Sequence, residues 1–328
     1  MDADPGQGDL ELISSRRNPL VGRLRALHQG RGRREQQRLL LEGTHLLQEV
    51  LRLGLRPDWL LATAPWMDRH DALLAQLRQG APQGASPSGG DSALQLRVVS
   101  EEVLAAVATT EQPDGVVVTL PLEQLPQPRA LPASNNQPGD SPKQEPPPDP
   151  FPSFVLALDR LQDPGNLGTL LRCALAAGVE EVWLAGGADP HQPKVLRASA
   201  GAALALPLRR LQNLGPAVAE AVGWGSQVVA TVVAPAVAPR LNPGQEPSVT
   251  GSAGTAGQAP AVRPYWELDW GKPTVLLLGN EGAGLDPALI ALASERVTIP
   301  HAAAVESLNV ALAAAPLLLE RWRQRLGG

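Results

Sequence analysis

One cysteine, Cys173, stands in a chain of 328 residues. That excludes an internal disulfide framework and any zinc or iron–sulfur site built on several cysteines, and it fits a reducing, cytoplasmic setting. No apolar run approaches the ~20 residues a membrane span needs, so a soluble globular chain with no membrane partner is expected. Met1–Leu12 is acidic and polar, and no secretory leader is read there. The five histidines (28, 45, 70, 191 and 301) are scattered without HExxH or i,i+4 pairing, so no metal site is expected. There is no GxSxG, and Cys173 lies in an apolar helical stretch, which argues against a serine or cysteine nucleophile. Aromatic residues make up only 3%, and the seven tryptophans are dispersed, so no base-stacking sheet is expected.

Glycine (32) and proline (33) are abundant, and they cluster in Gly80–Ser92, Pro126–Pro152 and Pro235–Pro264. Such segments lack the apolar surface to offset their ordering entropy. They read as a loop, an interdomain linker and a loop insertion. The resulting division is a flexible tail over 1–12, a first domain over 13–122, a linker over 123–152 and a second domain over 153–328, with a disordered insertion at 235–264.

Apolar spacing predicts a helix over Gln36–Leu53, strands at Trp59–Ala62, Leu96–Val99 and Gly115–Leu120, and a helix at Ser100–Ala108 capped by Ser100. This is a small α/β module. Beyond the linker, strand-like runs at Phe154–Leu158, Glu181–Ala185, Ala205–Leu208, Gln227–Val233, Thr274–Leu278 and Arg296–Ile299 alternate with helical patterns. Those patterns lie at Gly168–Ala177, Pro193–Ala200, Gly215–Val222 and Pro287–Ala293, with a closing helix from about Ser307 to Arg325. Continuous apolar strands between helices predict a parallel sheet covered on both faces, with ligands beyond the strands' carboxyl ends.

Three loops fall at those ends. In LDRLQDPGNLGTLLR (158–172), Asn166 is a good helix N-cap and Arg172 lies about one turn in; a capped helix with a surface arginine reads as well as a site. In LLLGNEGAGLD (276–286), Gly279, Gly282 and Gly284 make a tight turn around Glu281 that matches neither a Walker nor a GxGxxG pattern. In VTIPHAAAVESLNVALA (297–313), Ser307 or Asn309 caps the last helix. Their convergence on one crevice favours function over three separate turns.

Charge is uneven. Residues 16–38 hold eight arginines against Glu35 alone, a local +7 that leaves −12 for the rest of a chain totalling −5. Guanidinium groups at this density suit bidentate phosphate contacts, and a solvated helix face would ordinarily carry more acidic partners. Arg16, Arg17, Arg23, Arg31, Arg33 and Arg34 are therefore the candidate contacts to nucleic acid.

Taken together, DPGNLGTLLR (163–172), LLLGNEGAGL (276–285) and IPHAAAVESLNVALAAA (299–315) resemble the three motifs of the SpoU/TrmH family of RNA ribose 2′-O-methyltransferases, in the SPOUT superfamily. The match covers roughly 154–325. ISSRRNPLVGRLRAL, LLLEGTHLLQEVL and ATTEQPDGVVV are similar to the family's small RNA substrate-binding domain. The resemblance implies an α/β fold with a C-terminal trefoil knot, S-adenosylmethionine as cofactor, rRNA preferred over tRNA as substrate, and a homodimer whose active sites are completed across the interface. Gly279, Ile299 and Leu308 match cofactor-contact positions, with Leu278 and Asn280 as neighbours and Thr231 as a further pocket candidate. Asn166, Arg172, Glu281, Ser307 and Asn309 match the polar motif residues. Arg172 is the family's proposed base; because arginine is normally protonated, orienting the hydroxyl and its phosphate is the physically easier role. His301–Ala304 departs from the family's usual Met and Gly, and Pro316 falls inside the last helix, where proline costs ~3 kcal/mol. Two other readings are a catalytically silent RNA-binding or ribosome-assembly protein on the same fold, and a Rossmann-type methyltransferase or dehydrogenase. The latter requires its glycine-rich loop after the first strand, whereas here the turn lies near the C-terminus.

Overall fold

The computed structural model describes residues 12–79, 94–130, 151–233, 260–302 and 304–327. The expected loop at Gly80–Ser92, most of the linker, and 235–259 of the expected insertion lie outside the described residues. In chain order the elements are β1 Leu12–Ile13, α1 Pro19–Ala26, α2 Gly30–Gln36, β2 Arg38–Glu42, α3 Thr44–Arg52, β3 Trp59–Ala62, α4 Ala64–Arg69 and α5 Asp71–Gln79. Then come β4 Gln95–Val99, α6 Glu101–Val107, β5 Val116–Pro121, β6 Phe154–Asp159, α7 Pro164–Ala176, β7 Glu181–Ala185, α8 Pro193–Ala198, α9 Ala202–Ala205 and β8 Leu208–Leu211. The last are α10 Gly215–Gly223, β9 Gln227–Thr231, β10 Val262–Pro264, β11 Thr274–Leu278, α11 Pro287–Leu292, β12 Glu295–Thr298 and α12 Val310–Leu326.

The chain divides into two compact units, residues 1–126 with 189–205, and residues 127–188 with 206–328. The first unit is a five-stranded mixed sheet in the order β1-β4-β3-β5-β2. Its core joins Leu40, Leu61 and Val117 of the sheet to Leu20 and Leu24 of α1 and Val103 and Val107 of α6. Ser100 caps α6 as expected, accepting from the Val103 amide. Segment 189–205 belongs to this unit. Asp189 receives the Arg33 guanidinium at 2.6 Å, and Arg197 of α8 reaches Glu42 of β2 at 3.4 Å.

The second unit is the expected parallel sheet: seven strands in the order β10-β12-β9-β11-β6-β7-β8, every pair parallel. Val155 and Ala157 of β6 and Val275 and Leu277 of β11 pack against α10 and α11. Alternate residues point to opposite faces of a strand. Phe154, Leu156 and Leu158 are buried too, and Arg321 of α12 lies over the Phe154 ring at 4.4 Å, so α12 covers the second face. The sheet is thus apolar on both sides, which is why its strands carry no polar alternation.

Several elements differ from the sequence reading. Gln36–Leu53 is not one helix. Arg38–Glu42 is strand β2, and Gly43, at φ +96°, turns the chain into α3. The strand expected at Ala205–Leu208 is instead the end of α9 followed by β8, displaced towards the C-terminus. Val262–Pro264, placed in the insertion, forms β10 beside β12, and Leu12, placed in the tail, pairs with Val98. The linker's Arg129 donates its amide to Glu181. The last helix runs unbroken through Pro316.

Candidate active site

The loops that leave β6, β11 and β12 meet at the carboxyl edge of the seven-stranded sheet. A cavity of about 420 Å³ opens there, within the range of small-molecule sites. Leu278, Ile299 and Leu308 supply apolar walls, and Gly279–Gly284 supplies backbone.

The glycine turn has a specific reason for its composition. Asn280 and Gly284 exchange two backbone hydrogen bonds at 3.0 Å, and Asn280 Oδ1 accepts from the amides of Gly282 and Ala283. A Cβ on Gly279 would stand 2.2 Å from the Gly284 carbonyl carbon and the Leu285 nitrogen, closer than real atoms approach. Only glycine closes this turn. Asn280 Nδ2 donates to the Arg160 carbonyl, which ties the turn to the loop after β6.

Glu281 extends that tie. Its carboxylate accepts from the amides of Gln162 (3.1 Å) and Asp163 (3.0 Å) and from Asn166 Nδ2 (3.2 Å). Burial opposes its charge, but the amide and side-chain donors outweigh burial and hold the carboxyl below the usual range. Asn166 Oδ1 in turn accepts from Asn309 Nδ2 at 2.9 Å. Glu281, Asn166 and Asn309, one from each loop, therefore form a continuous polar chain.

Asn166 is not the cap of α7. Asp163 caps it, accepting from the Asn166 amide at 2.7 Å, because Pro164 takes the first helical position. That leaves the Asn166 side chain available for Glu281. Of the two candidate caps for α12, Asn309 fills the role, accepting from Ala311 and Leu312. Ser307 lines the cavity and makes no hydrogen bond among the described residues.

Thr231, Leu278, Gly279, Asn280, Glu281, Ile299, Ser307 and Leu308 are thus brought together on one cavity. The Thr231 hydroxyl is spent on the Leu277 carbonyl. Arg172 is exposed on α7, well past its first turn, and is outside the cavity lining. The sequence reading assigns no cap to Asp163 and no role to Glu306, which lines the cavity together with His301, the first residue of the motif departure. The Asp-Pro pair at 163–164 was the readable signal for the cap.

In the first unit, Arg16, Arg17, Arg23, Arg31 and Arg34 are exposed, and Arg23 lies over the Trp59 ring at 5.9 Å. Arg33 is a correction. Its side chain is 5% exposed, donates to the carbonyls of Leu27 and His28, and pairs with Asp189, so it holds the unit together and is unavailable to RNA. The apparent lack of acidic partners in the arginine run is also local to the sequence, since Asp189 and Asp58 pair with Arg33 and Arg38 from distant segments. Among the described residues no group of three or more His, Cys, Asp or Glu side chains could hold a metal, and no helix is long and apolar enough to cross a membrane.

An all-parallel sheet with a glycine-walled cavity at its carboxyl edge, in a chain that also carries a separate mixed-sheet unit, defines a two-unit α/β protein with a cavity of small-molecule size at the strand ends. The chain belongs to the SpoU rRNA Methylase family, which residues 153–319 match, and residues 18–118 match the MRM3-like substrate binding domain. It is 38% identical over 322 residues to an uncharacterized tRNA/rRNA methyltransferase of Synechocystis sp., covering 98% of this chain and 97% of that one. It is 30% identical over 312 residues to the 23S rRNA (guanosine(2553)-2′-O)-methyltransferase RlmP of Bacillus subtilis, covering 94% and 98%. Among solved structures, the AdoMet-bound rRNA methyltransferase from Sinorhizobium meliloti aligns with a TM-score of 0.64 at 27% identity, over 97% of this chain and 99% of that chain. The resemblance read from the three motifs is borne out.

Proposed function

We propose that this protein transfers the methyl group of S-adenosylmethionine to a ribose 2′-hydroxyl of RNA, with ribosomal RNA preferred over transfer RNA. The observation that carries the reading is the Glu281–Asn166–Asn309 chain, which joins all three motif loops beside a cavity lined by the second and third. The cofactor fits the cavity's chemistry. The closed turn Gly279–Gly284 presents backbone on one wall, and Leu278, Ile299 and Leu308 offer apolar faces to a nucleoside. When bound, S-adenosylmethionine supplies an electrophilic methyl group on a sulfonium.

The protein's task is then to bring the hydroxyl into line and assist its deprotonation. Asn166, Glu281 and Asn309 fix the loop geometry, and Ser307 offers an unspent hydroxyl to the substrate. Arg172 orients the RNA phosphate and hydroxyl. Its place outside this chain's cavity suits a site completed by a second copy, and a homodimer is part of the proposal. So are the family's trefoil knot, a cytoplasmic location, and the division into an RNA-binding domain at 13–122, a linker at 123–152 and a methyltransferase domain at 153–328. Exposed Arg16, Arg17, Arg23, Arg31 and Arg34 are the proposed RNA contacts.

The test is to incubate the pure protein with methyl-labelled cofactor and unmodified rRNA or tRNA and map backbone bonds that become alkali-resistant. Label on ribose is expected, lost in Arg172→Ala with RNA affinity retained. Label on a base, or none on any RNA, overturns the reading, and absence of cofactor binding by calorimetry would favour a silent RNA-binding protein.

A further inference from the structure

Methyl transfer to a hydroxyl releases a proton, and the role given to Arg172, outside the cavity lining, is to orient the hydroxyl. A guanidinium is cationic at neutral pH and has no acceptor atom. Three titratable side chains line the cavity: Glu281 and His301, which the loops after β11 and β12 supply, and Glu306 further along the latter loop. No charged side chain of β9, β12 or α12 joins them. Glu281 is committed to Gln162, Asp163 and Asn166, and those donors make it a weaker base than a free carboxylate. Glu306 is exposed on its loop, and no hydrogen bond among the described residues fixes its carboxylate.

His301 is in a different position. Its Nδ1 lies 2.8 Å from the Ile299 carbonyl oxygen. A carbonyl only accepts, so Nδ1 carries the hydrogen and donates it, and the neutral ring presents Nε2 as a lone pair. That nitrogen has no hydrogen-bond partner among the described residues. The ring is half-buried, held by its own backbone at one end and facing the cavity that Ser307 also lines. A ring whose tautomer is fixed by a carbonyl and whose other nitrogen is unspent beside the cavity is a general-base arrangement.

We propose that His301 is a catalytic residue whose Nε2 accepts the proton of the ribose 2′-hydroxyl, a role that rests on the 2′-O-methyl transfer proposed above. Nε2 takes the proton as the 2′-oxygen bonds the methyl carbon. The carbon–sulfur bond breaks with its electron pair left on sulfur, and the imidazolium returns its proton to water.

Single-turnover methyl transfer measured from mildly acid to alkaline pH, in the native protein and in His301→Gln and His301→Ala, tests this. The native rate should rise with pH, because the neutral ring is the form that accepts a proton. Both variants should lose that limb and run about 10²-fold slower or worse at saturating cofactor, with RNA affinity by filter binding unchanged, and added imidazole should restore part of the rate to His301→Ala. Nitrogen NMR of the cofactor-free native protein should show the Nδ1–H tautomer. An Nε2–H tautomer, an unaltered pH limb in His301→Gln, or a loss confined to cofactor affinity would overturn the assignment. Failure of the broader reading looks different: native protein would then put no label on ribose, and the tautomer measurement would still judge His301 without RNA.

Discussion

Gly279 and Glu281 show how much of the site rests on single residues. Because a Cβ at 279 would collide with backbone atoms of Gly284 and Leu285, relief requires the turn itself to open. Gly279→Ala should weaken S-adenosylmethionine binding at least about tenfold, ~1.4 kcal/mol, while the far-ultraviolet circular dichroism stays native; unchanged calorimetric affinity would contradict the closed turn. Glu281 makes a pH argument. Its folded carboxyl titrates below the ordinary value, so its contribution to stability is fully present above about pH 4.3, the unfolded value, and is lost as pH falls through the lower folded value. In urea titrations Glu281→Gln should be less stable than native at neutral pH, and the gap should close on acidification below that point. A gap independent of pH would mean that the amide contacts do not depend on charge. The same scale shows what one sequence conceals. Asn166 looked like a cap because Asn caps helices; the preceding Asp-Pro took that place and freed Asn166 to link Glu281 with Asn309. Arg33 looked like its neighbours because Asp189, which neutralises it, is remote in sequence.

Among the elements, α12 is held by a buried cation. Arg321 donates to the carbonyls of Trp270, Lys272 and Ser153 at the amino ends of β11 and β6 and covers the Phe154 ring. Burial, with repulsion from Arg325, lowers its pKa to about 10, so it remains charged at neutral pH. Arg321→Met would leave three carbonyls short of a donor. It should cost about 2–4 kcal/mol in equilibrium denaturation; a loss below 1 kcal/mol would show that water replaces the guanidinium. The strands of the second unit were legible because both faces of the sheet are apolar, which gives short unbroken runs between helical patterns. The same rule misled at β2. Leu39, Leu40 and Leu41 are all buried, and with Leu46, Leu47 and Val50 they fit one helical spacing across Glu42–His45, so the left-handed Gly43 is the clearest mark of the boundary. β8 was misplaced because Arg209 and Arg210 read as surface, although Arg209 is mostly buried against Glu181.

At the scale of the whole molecule, α12 carries a second, outward-facing stripe. Leu312, Leu319, Trp322 and Leu326 are exposed at spacings that repeat every three to four residues, while Ala311, Ala314, Leu318 and Arg321 face inward. A stripe of this kind supports the proposed homodimer. Leu312→Glu with Leu319→Glu should convert the protein to a monomer by light scattering and abolish methyl transfer without unfolding either unit; a native-size particle would exclude this face. RNA affinity should fall with salt at a log–log slope of about 0.7–0.9 per phosphate contacted. Replacing Arg17, Arg23, Arg31 and Arg34 by glutamine should flatten it, and an unchanged slope would move the RNA elsewhere.

The position of β11 between β6 and β9 has a consequence for the protein's synthesis. As the chain leaves the ribosome, β6, β7 and β8 can pair in order, but the open side of β6 must wait for a strand made much later, and β9 must wait for both its neighbours. The middle of the sheet therefore closes late, at β11, and β10 and β9 are joined only by the last strand, β12, so a nascent chain stalled before Thr274 exposes an unpaired apolar strand edge. Ribosome-bound intermediates should need chaperone protection until β11 and β12 have emerged, and truncations ending before them should aggregate.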